Sequence, residues 1–120
     1  MKVPGEILTL SKQFSGTIGV AAGKIGSPGM LALNAEVTFP TASCIKIPIL
    51  VELCHQILEN KINLYSRITV REKQMVPGTG VIKDLQPGLD LSIYDLAALS
   101  VIVSDNSAAN ILIDILGKDA

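Results

Sequence analysis

At 120 residues and 12.7 kDa the chain holds enough residues for one hydrophobic core and too few for two. Its 48% hydrophobic and 18% charged residues make a globular composition and exclude the charge-rich profile of disorder. A net charge of -1 and a pI near 5.7 leave no basic footprint for nucleic acid. The most apolar stretch, Leu96 to Val103, is far shorter than the ~18–20 residues of a membrane-spanning helix. The opening Met1-Lys2-Val3-Pro4-Gly5-Glu6 leads into no secretory apolar segment, and localisation stays open.

In chain order, Ile7, Leu10 and Phe14 recur at helical spacing and predict a short leading helix that Gly16 ends. Thr17 to Ala22 reads as a strand, Gly23 to Gly29 as a turn and Met30 to Asn34 as a second strand, so residues 17–34 form a hairpin. A two-stranded hairpin is marginal alone and needs further strands or a covering helix. Ser43 to Asn60 reads as a helix with Ile47, Leu50, Val51, Cys54, Ile57 and Leu58 on one face. Ile45, Ile49 and Leu53 add a second row, which predicts a helix buried on most sides, and Pro48 should bend it. Residues 61–91 read as irregular, with turns at Pro77-Gly78-Thr79-Gly80 and Pro87-Gly88.

Ser92-Ile93-Tyr94-Asp95 is a capping-box pattern and opens a helix with Ile93, Leu96, Ala97, Ser100 and Val103 on one face. Asp105 or Asn106 caps a further helix whose stripe is Ala108, Ile111, Leu112 and Ile115, ending at Gly117. The expected protein is largely helical with one small antiparallel β element. Cys44 and Cys54 on one helix would lie ~15 Å apart and cannot pair, since a disulfide needs Cα atoms within ~7 Å. Cys44 and His55 are separated along the same helix by ~16 Å, too far for a thiol–imidazole pair. Cys44 therefore reads as a small residue buried beside Ser43, and His55 as a surface or half-buried imidazole with no second ligand for a metal.

Two motifs carry candidate chemistry. Ser43-Cys44-Ile45-Lys46 puts a hydroxyl and an amine three residues apart on one helical face. A serine needs a base before it can attack, and a neutral lysine is one such base. Backbone amides at the helix N-terminus would stabilise an oxyanion. Chance alone supplies about 0.6 matches to this pattern in such a composition, and a capping serine with a snorkelling lysine is the plainer alternative. Ser104-Asp105-Asn106 is expected by chance only about 0.02 times. Its plainer alternative is a capping turn; its functional one is a proton-relaying hydroxyl with an amide that binds a carbonyl.

With both motifs present in this order, the sequence resembles the penicillin-recognising serine hydrolases, most closely class A β-lactamases, whose signature is S-x-x-K, S-D-N and K-T-G. Phe39-Pro40-Thr41-Ala42-Ser43 resembles that family's approach to its nucleophile, and Val76-Pro77-Gly78-Thr79-Gly80-Val81-Ile82 a loop of its helical part. Leu91 to Leu96 and Asn106 to Asn110 resemble the helices flanking the S-D-N turn. The resemblance implies an α+β fold of the β-lactamase/transpeptidase type, here incomplete, with a helix and hairpin over residues 1–42 and a helical part over 43–120. It implies Ser43 as the acylated nucleophile, Lys46 as its activator and Ser104 as proton donor to the β-lactam nitrogen. Asn106 would hold the substrate's amide, the Ser43 amide would be an oxyanion donor, and Asp105 would hold its own turn. The implied partner is a small β-lactam, with no cofactor, metal or nucleic acid.

The pattern departs from the family in two places. No lysine is followed by Thr-Gly or Ser-Gly, and the last glutamate, Glu72, precedes the S-D-N turn, so K-T-G and the family's deacylating glutamate are not in this sequence. The resemblance thus covers the N-terminal part of a catalytic domain, and these residues alone are expected to turn over β-lactam negligibly. Apolar surface left uncovered would favour self-association. The alternatives are a penicillin-binding peptidase or esterase of the same superfamily and a non-catalytic helical binding module.

Overall fold

The computed structural model describes residues 3–117. The chain divides after Pro40 into two compact units.

In the first unit, α1 (Gly5–Gln13) stops where Phe14 turns extended, two residues before the predicted glycine stop. Strands β1 (Val20–Gly23) and β2 (Met30–Leu33) pair antiparallel with Val20 opposite Leu33 and Ala22 opposite Leu31. This is the expected hairpin, shortened at its start. Gly19 lies flat against the Phe39 ring, where a Cβ would come within 2.5 Å of Cε2. No residue described in this unit is fully buried.

The second unit holds the core. A 3-10 turn, Ala42–Ile45, runs into α2 (Lys46–Leu58), so Ser43 sits in the 3-10 turn and not in the α-helix proper. Pro48 is then the third residue of α2, where a missing amide falls among those a helix cannot pair, and the predicted bend is unnecessary. The inward face of α2 also differs from expectation. Lys46, Ile49 and Leu53 are buried, whereas Ile47, Val51 and Leu58 are 66%, 65% and 81% exposed. Periodicity found both apolar rows; it could not say which one the rest of the chain covers.

Residues 61–91 are less irregular than the sequence suggests. Strands β3 (Arg67–Thr69) and β4 (Asp90–Ser92) pair antiparallel, Arg67 opposite Ser92 and Thr69 opposite Asp90, giving a second β element. Three residues each are too few for an alternating pattern to register. Thr69 Oγ1 donates to Asp90 Oδ1 at 2.6 Å across the pair. Strand β4 leads directly into α3 (Ile93–Ile102), and α4 (Asn106–Leu116) packs against both α2 and α3. Ile49, Leu53, Val70, Ile82, Ile93, Leu96, Ile111 and Leu112 form the aliphatic core. No helix among the described residues is long and apolar enough to cross a membrane.

Two carboxylates fix the helix starts. Asp105 caps α4 by accepting from the Ala108 amide at 3.0 Å. Its other oxygen accepts from the Val81 and Ile82 amides at 2.6 and 2.9 Å, which pins the 76–82 loop to the turn before α4. Asp105 is 1% exposed, so removing it strands buried donors. Asp105→Ala is expected to lower unfolding stability by about 3 kcal/mol, read from urea unfolding with unchanged slope.

At α3 the predicted capping box is present: the Ser92 hydroxyl and amide donate to Asp95 Oδ2 at 2.6 and 2.9 Å, and the Asp95 amide donates back to Ser92 Oγ at 3.0 Å. These bonds favour the ionised carboxyl and hold Asp95 below its ordinary 3.8. A carboxyl lowered by folding stabilises above its unfolded pKa, and that stabilisation fades as pH falls through its lower folded value. Asp95→Asn is therefore expected to lower the urea midpoint at neutral pH, and the gap to the parent should narrow as pH falls below the ordinary carboxyl range towards the lowered folded value.

Candidate active site

The turn between α3 and α4 meets the start of α2. Ser104, in the left-handed region at φ 53°, presents both its carbonyl and its hydroxyl to the Lys46 ammonium. Lys46 Nζ donates to Ser104 O at 2.6 Å, Ser104 Oγ at 2.8 Å and Asn106 Oδ1 at 3.1 Å, and lies 3.4 Å from Ser43 Oγ. The Ser43 and Ser104 hydroxyls are themselves 2.8 Å apart. Folding thus brings all four residues singled out in the two motifs into one hydrogen-bonded cluster, across a long sequence separation.

Their environments differ. Lys46 is 6% exposed, Ser104 and Asn106 are half-buried, and Ser43 is exposed. A solvent-exposed hydroxyl thus lies beside a desolvated amine. The cluster borders two grooves. One is lined by Ile47, Leu50, Val51 and Val101 and is apolar; the other includes Pro77, Thr79, Asn106 and Asn110.

Chemically, three of the four groups carry exchangeable protons and lie along short contacts. The direct route from Ser43 Oγ to Lys46 Nζ is 3.4 Å, while the route through Ser104 Oγ runs in two steps of 2.8 Å. The Asn106 carboxamide is orientable only one way, because an ammonium has donors alone and must face the oxygen. Asn106 Nδ2 is therefore the free donor end.

Cys44 is exposed, which corrects its expected burial: in a 3-10 turn the residue after Ser43 points out from the unit. Cys54 is exposed as well. His55 lies on the outer side of α2 between Glu52 and Glu59, at 3.6 and 3.5 Å, away from the cluster. In the sequence, the 76–82 segment reads as a turn and as a stretch resembling a loop of the family, with no part assigned in the cluster. In the structure it frames the cluster: Thr79 O accepts from the Asn106 amide at 2.9 Å, and the Val76 amide donates to Ser107 Oγ at 3.0 Å. The signal that could have found it was the pair of glycines in Pro77-Gly78-Thr79-Gly80.

Comparison with known proteins bears on the family and the fold. The family model described as the beta-lactamase enzyme family matches residues 3–120. Beta-lactamase L2 of Stenotrophomonas maltophilia is 26% identical over 112 residues, which are 93% of this chain and 37% of that protein. A beta-lactamase from Sphaerobacter thermophilus superposes with a TM-score of 0.87 at 31% identity, over 96% of this chain and 43% of its own. PBP-A superposes with a TM-score of 0.86, also at 31% identity, over 94% of this chain and 43% of its own. The chain thus spans less than half the length of each of these relatives. The fold is of the β-lactamase/transpeptidase type over that shared part, and with a family match running nearly end to end, this chain belongs to the beta-lactamase enzyme family.

Proposed function

We propose that residues 1–120 are part of a serine β-lactamase-type catalytic domain and supply its acylation machinery. The observation that carries this reading is the triangle of Ser43 Oγ, Ser104 Oγ and buried Lys46 Nζ, with two of its sides at 2.8 Å. Ser43 Oγ attacks the carbonyl carbon of a β-lactam while its proton passes, directly or through Ser104, to the Lys46 amine, which must first have released a proton of its own. The carbonyl oxygen becomes an oxyanion, and the Ser43 amide is one donor to it. The C–N bond of the ring then breaks. Ser104 gives its proton to the departing nitrogen and is refilled from Lys46, which leaves an ester on Ser43. Water later cleaves that ester and frees the ring-opened acid. Asn106 binds the substrate's side-chain amide through Nδ2.

A second reading in the same superfamily, a penicillin-binding enzyme that holds its acyl group longer, draws on the likeness to PBP-A, one mutant of which was solved as an acyl-enzyme complex with penicillin G. Both readings share the first half-reaction, so acylation tests the cluster and the lifetime of the ester separates them.

Intact-mass spectrometry after incubation with penicillin is expected to find one adduct, mapped by proteolysis to Ser43. Ser43→Ala should abolish it. Lys46→Ala should slow its appearance by about 10²–10⁴-fold, the usual range for loss of a general base. A folded protein that forms no adduct would leave the non-catalytic binding module as the better reading.

A further inference from the structure

Asn106 owes its orientation to more than Lys46. Gly78 has φ +106°, and a Cβ built there would lie 2.5 Å from Asn106 Nδ2. That is closer than any side chain tolerates, so the bare Cα of Gly78 is what leaves room for the donor end of the carboxamide. Lys46 draws Oδ1 one way at 3.1 Å, and the loop borders Nδ2 on the other. The loop itself does not slide. The Asn106 amide donates to Thr79 O at 2.9 Å, and the Asp105 carboxylate holds the Val81 and Ile82 amides. Gly80, at φ +124°, abuts the Asp105 backbone, where a Cβ would meet Cα at 2.6 Å.

We propose that Gly78 is a positioning residue of the site, acting through Asn106: it fixes the direction in which Nδ2 is offered to substrate. This rests on the acyl-transfer reading above. The two glycines differ in a way that makes the idea testable. At Gly80 an added methyl strikes backbone and must disturb the fold. At Gly78 it strikes the tip of a side chain, with Asn106 Cγ still 3.7 Å away, so the carboxamide swings aside and the rest of the unit stands. A swung carboxamide also withdraws Oδ1 from Lys46, which removes one of that ammonium's acceptors.

Backbone strain is the confounding cost, because alanine at positive φ is disfavoured wherever it occurs. Gly88 supplies the control. Its φ is +89° and nothing lies within 4 Å of a Cβ built there, so Gly88→Ala brings similar strain with no neighbour to move. The experiment compares the parent protein, Gly78→Ala, Gly88→Ala, Asn106→Ala and the Gly78→Ala/Asn106→Ala double variant. Two readouts are taken: the side-chain amide signals of Asn106 in 15N-labelled protein, and the second-order rate of Ser43 acylation by penicillin.

Gly78→Ala is expected to shift the Asn106 amide pair and to slow acylation by about 10–100-fold, the scale of a misplaced binding group. Gly88→Ala should do neither at a comparable loss of unfolding midpoint. In the Asn106→Ala background Gly78→Ala should slow acylation no further, because the group it positions is already gone. Unmoved Asn106 signals in Gly78→Ala overturn the proposal, as does an equal loss of rate in Gly88→Ala. If the parent is not acylated at all, the acyl-transfer reading falls, and the Asn106 signals alone decide whether Gly78 sets that carboxamide.

Discussion

A buried ammonium with no carboxylate beside it among the described residues organises the second unit. Lys46 is 6% exposed, and its hydrogen-bond partners are a carbonyl, a carboxamide oxygen and two serine hydroxyls. Taking a lysine out of water costs several kcal/mol unless its protons find good acceptors. Three of the four contacts come from residues 104 and 106, so α2 can bury its first turn only if the α3–α4 turn comes to meet it. Charge-assisted hydrogen bonds of 2.6 and 2.8 Å are the strong kind, and they offset that desolvation. The same contacts that make the fold tolerable set two serine hydroxyls and an amine within one hydrogen-bonded group.

Asp105 is the counterpart of opposite sign. Its carboxylate is as buried as the lysine and is met by three backbone amides from two segments. Within three consecutive residues the turn therefore solvates a cation with its oxygens and has its own anion solvated by the 81–82 loop and the α4 amides. Such a turn has little freedom. Shifting it by one hydrogen bond would strand a buried charge on one side or buried donors on the other.

This division explains which parts were readable from sequence. Caps have local causes, so Ser92 with Asp95 and Asp105 before α4 were visible as residue patterns. The motif residues are visible because Ser104-Asp105-Asn106 is rare by chance and follows Ser43-x-x-Lys46 in order, although the latter pattern alone is common. The inward row of α2 was not, since Ile47, Val51 and Leu58 are as apolar as Ile49 and Leu53 and only the packing of α3 and α4 selects between them. Strands β3 and β4 escaped because three-residue pairing is decided by contact with a distant segment. Cys44 escaped for a related reason: a 3-10 turn rotates successive residues by more than an α-helix does, so its outward direction depends on where that turn gives way to α2. The roles of Gly78 and Gly80 depend on what faces them from the next segment, which local turn chemistry does not encode.

The backbone conformations at the cluster carry the argument one step further. Four residues other than glycine have positive φ among those described. Asn34 and Asn60 belong to the type that tolerates this region, because a short amide side chain bonds locally to the backbone. Ala42 and Ser104 do not, and a residue held there typically costs about 1–3 kcal/mol. One immediately precedes Ser43, and the other is the residue whose hydroxyl lies 2.8 Å from it. These two unfavourable backbone positions thus flank the hydroxyl pair, one before Ser43 and one at Ser104 itself. At Ser104 the strain persists because the Lys46 and Asp105 bonds over-determine the turn. A glycine in place of Ala42 would relieve the strain there with both hydroxyls kept, whereas one in place of Ser104 would also remove a hydroxyl of the cluster.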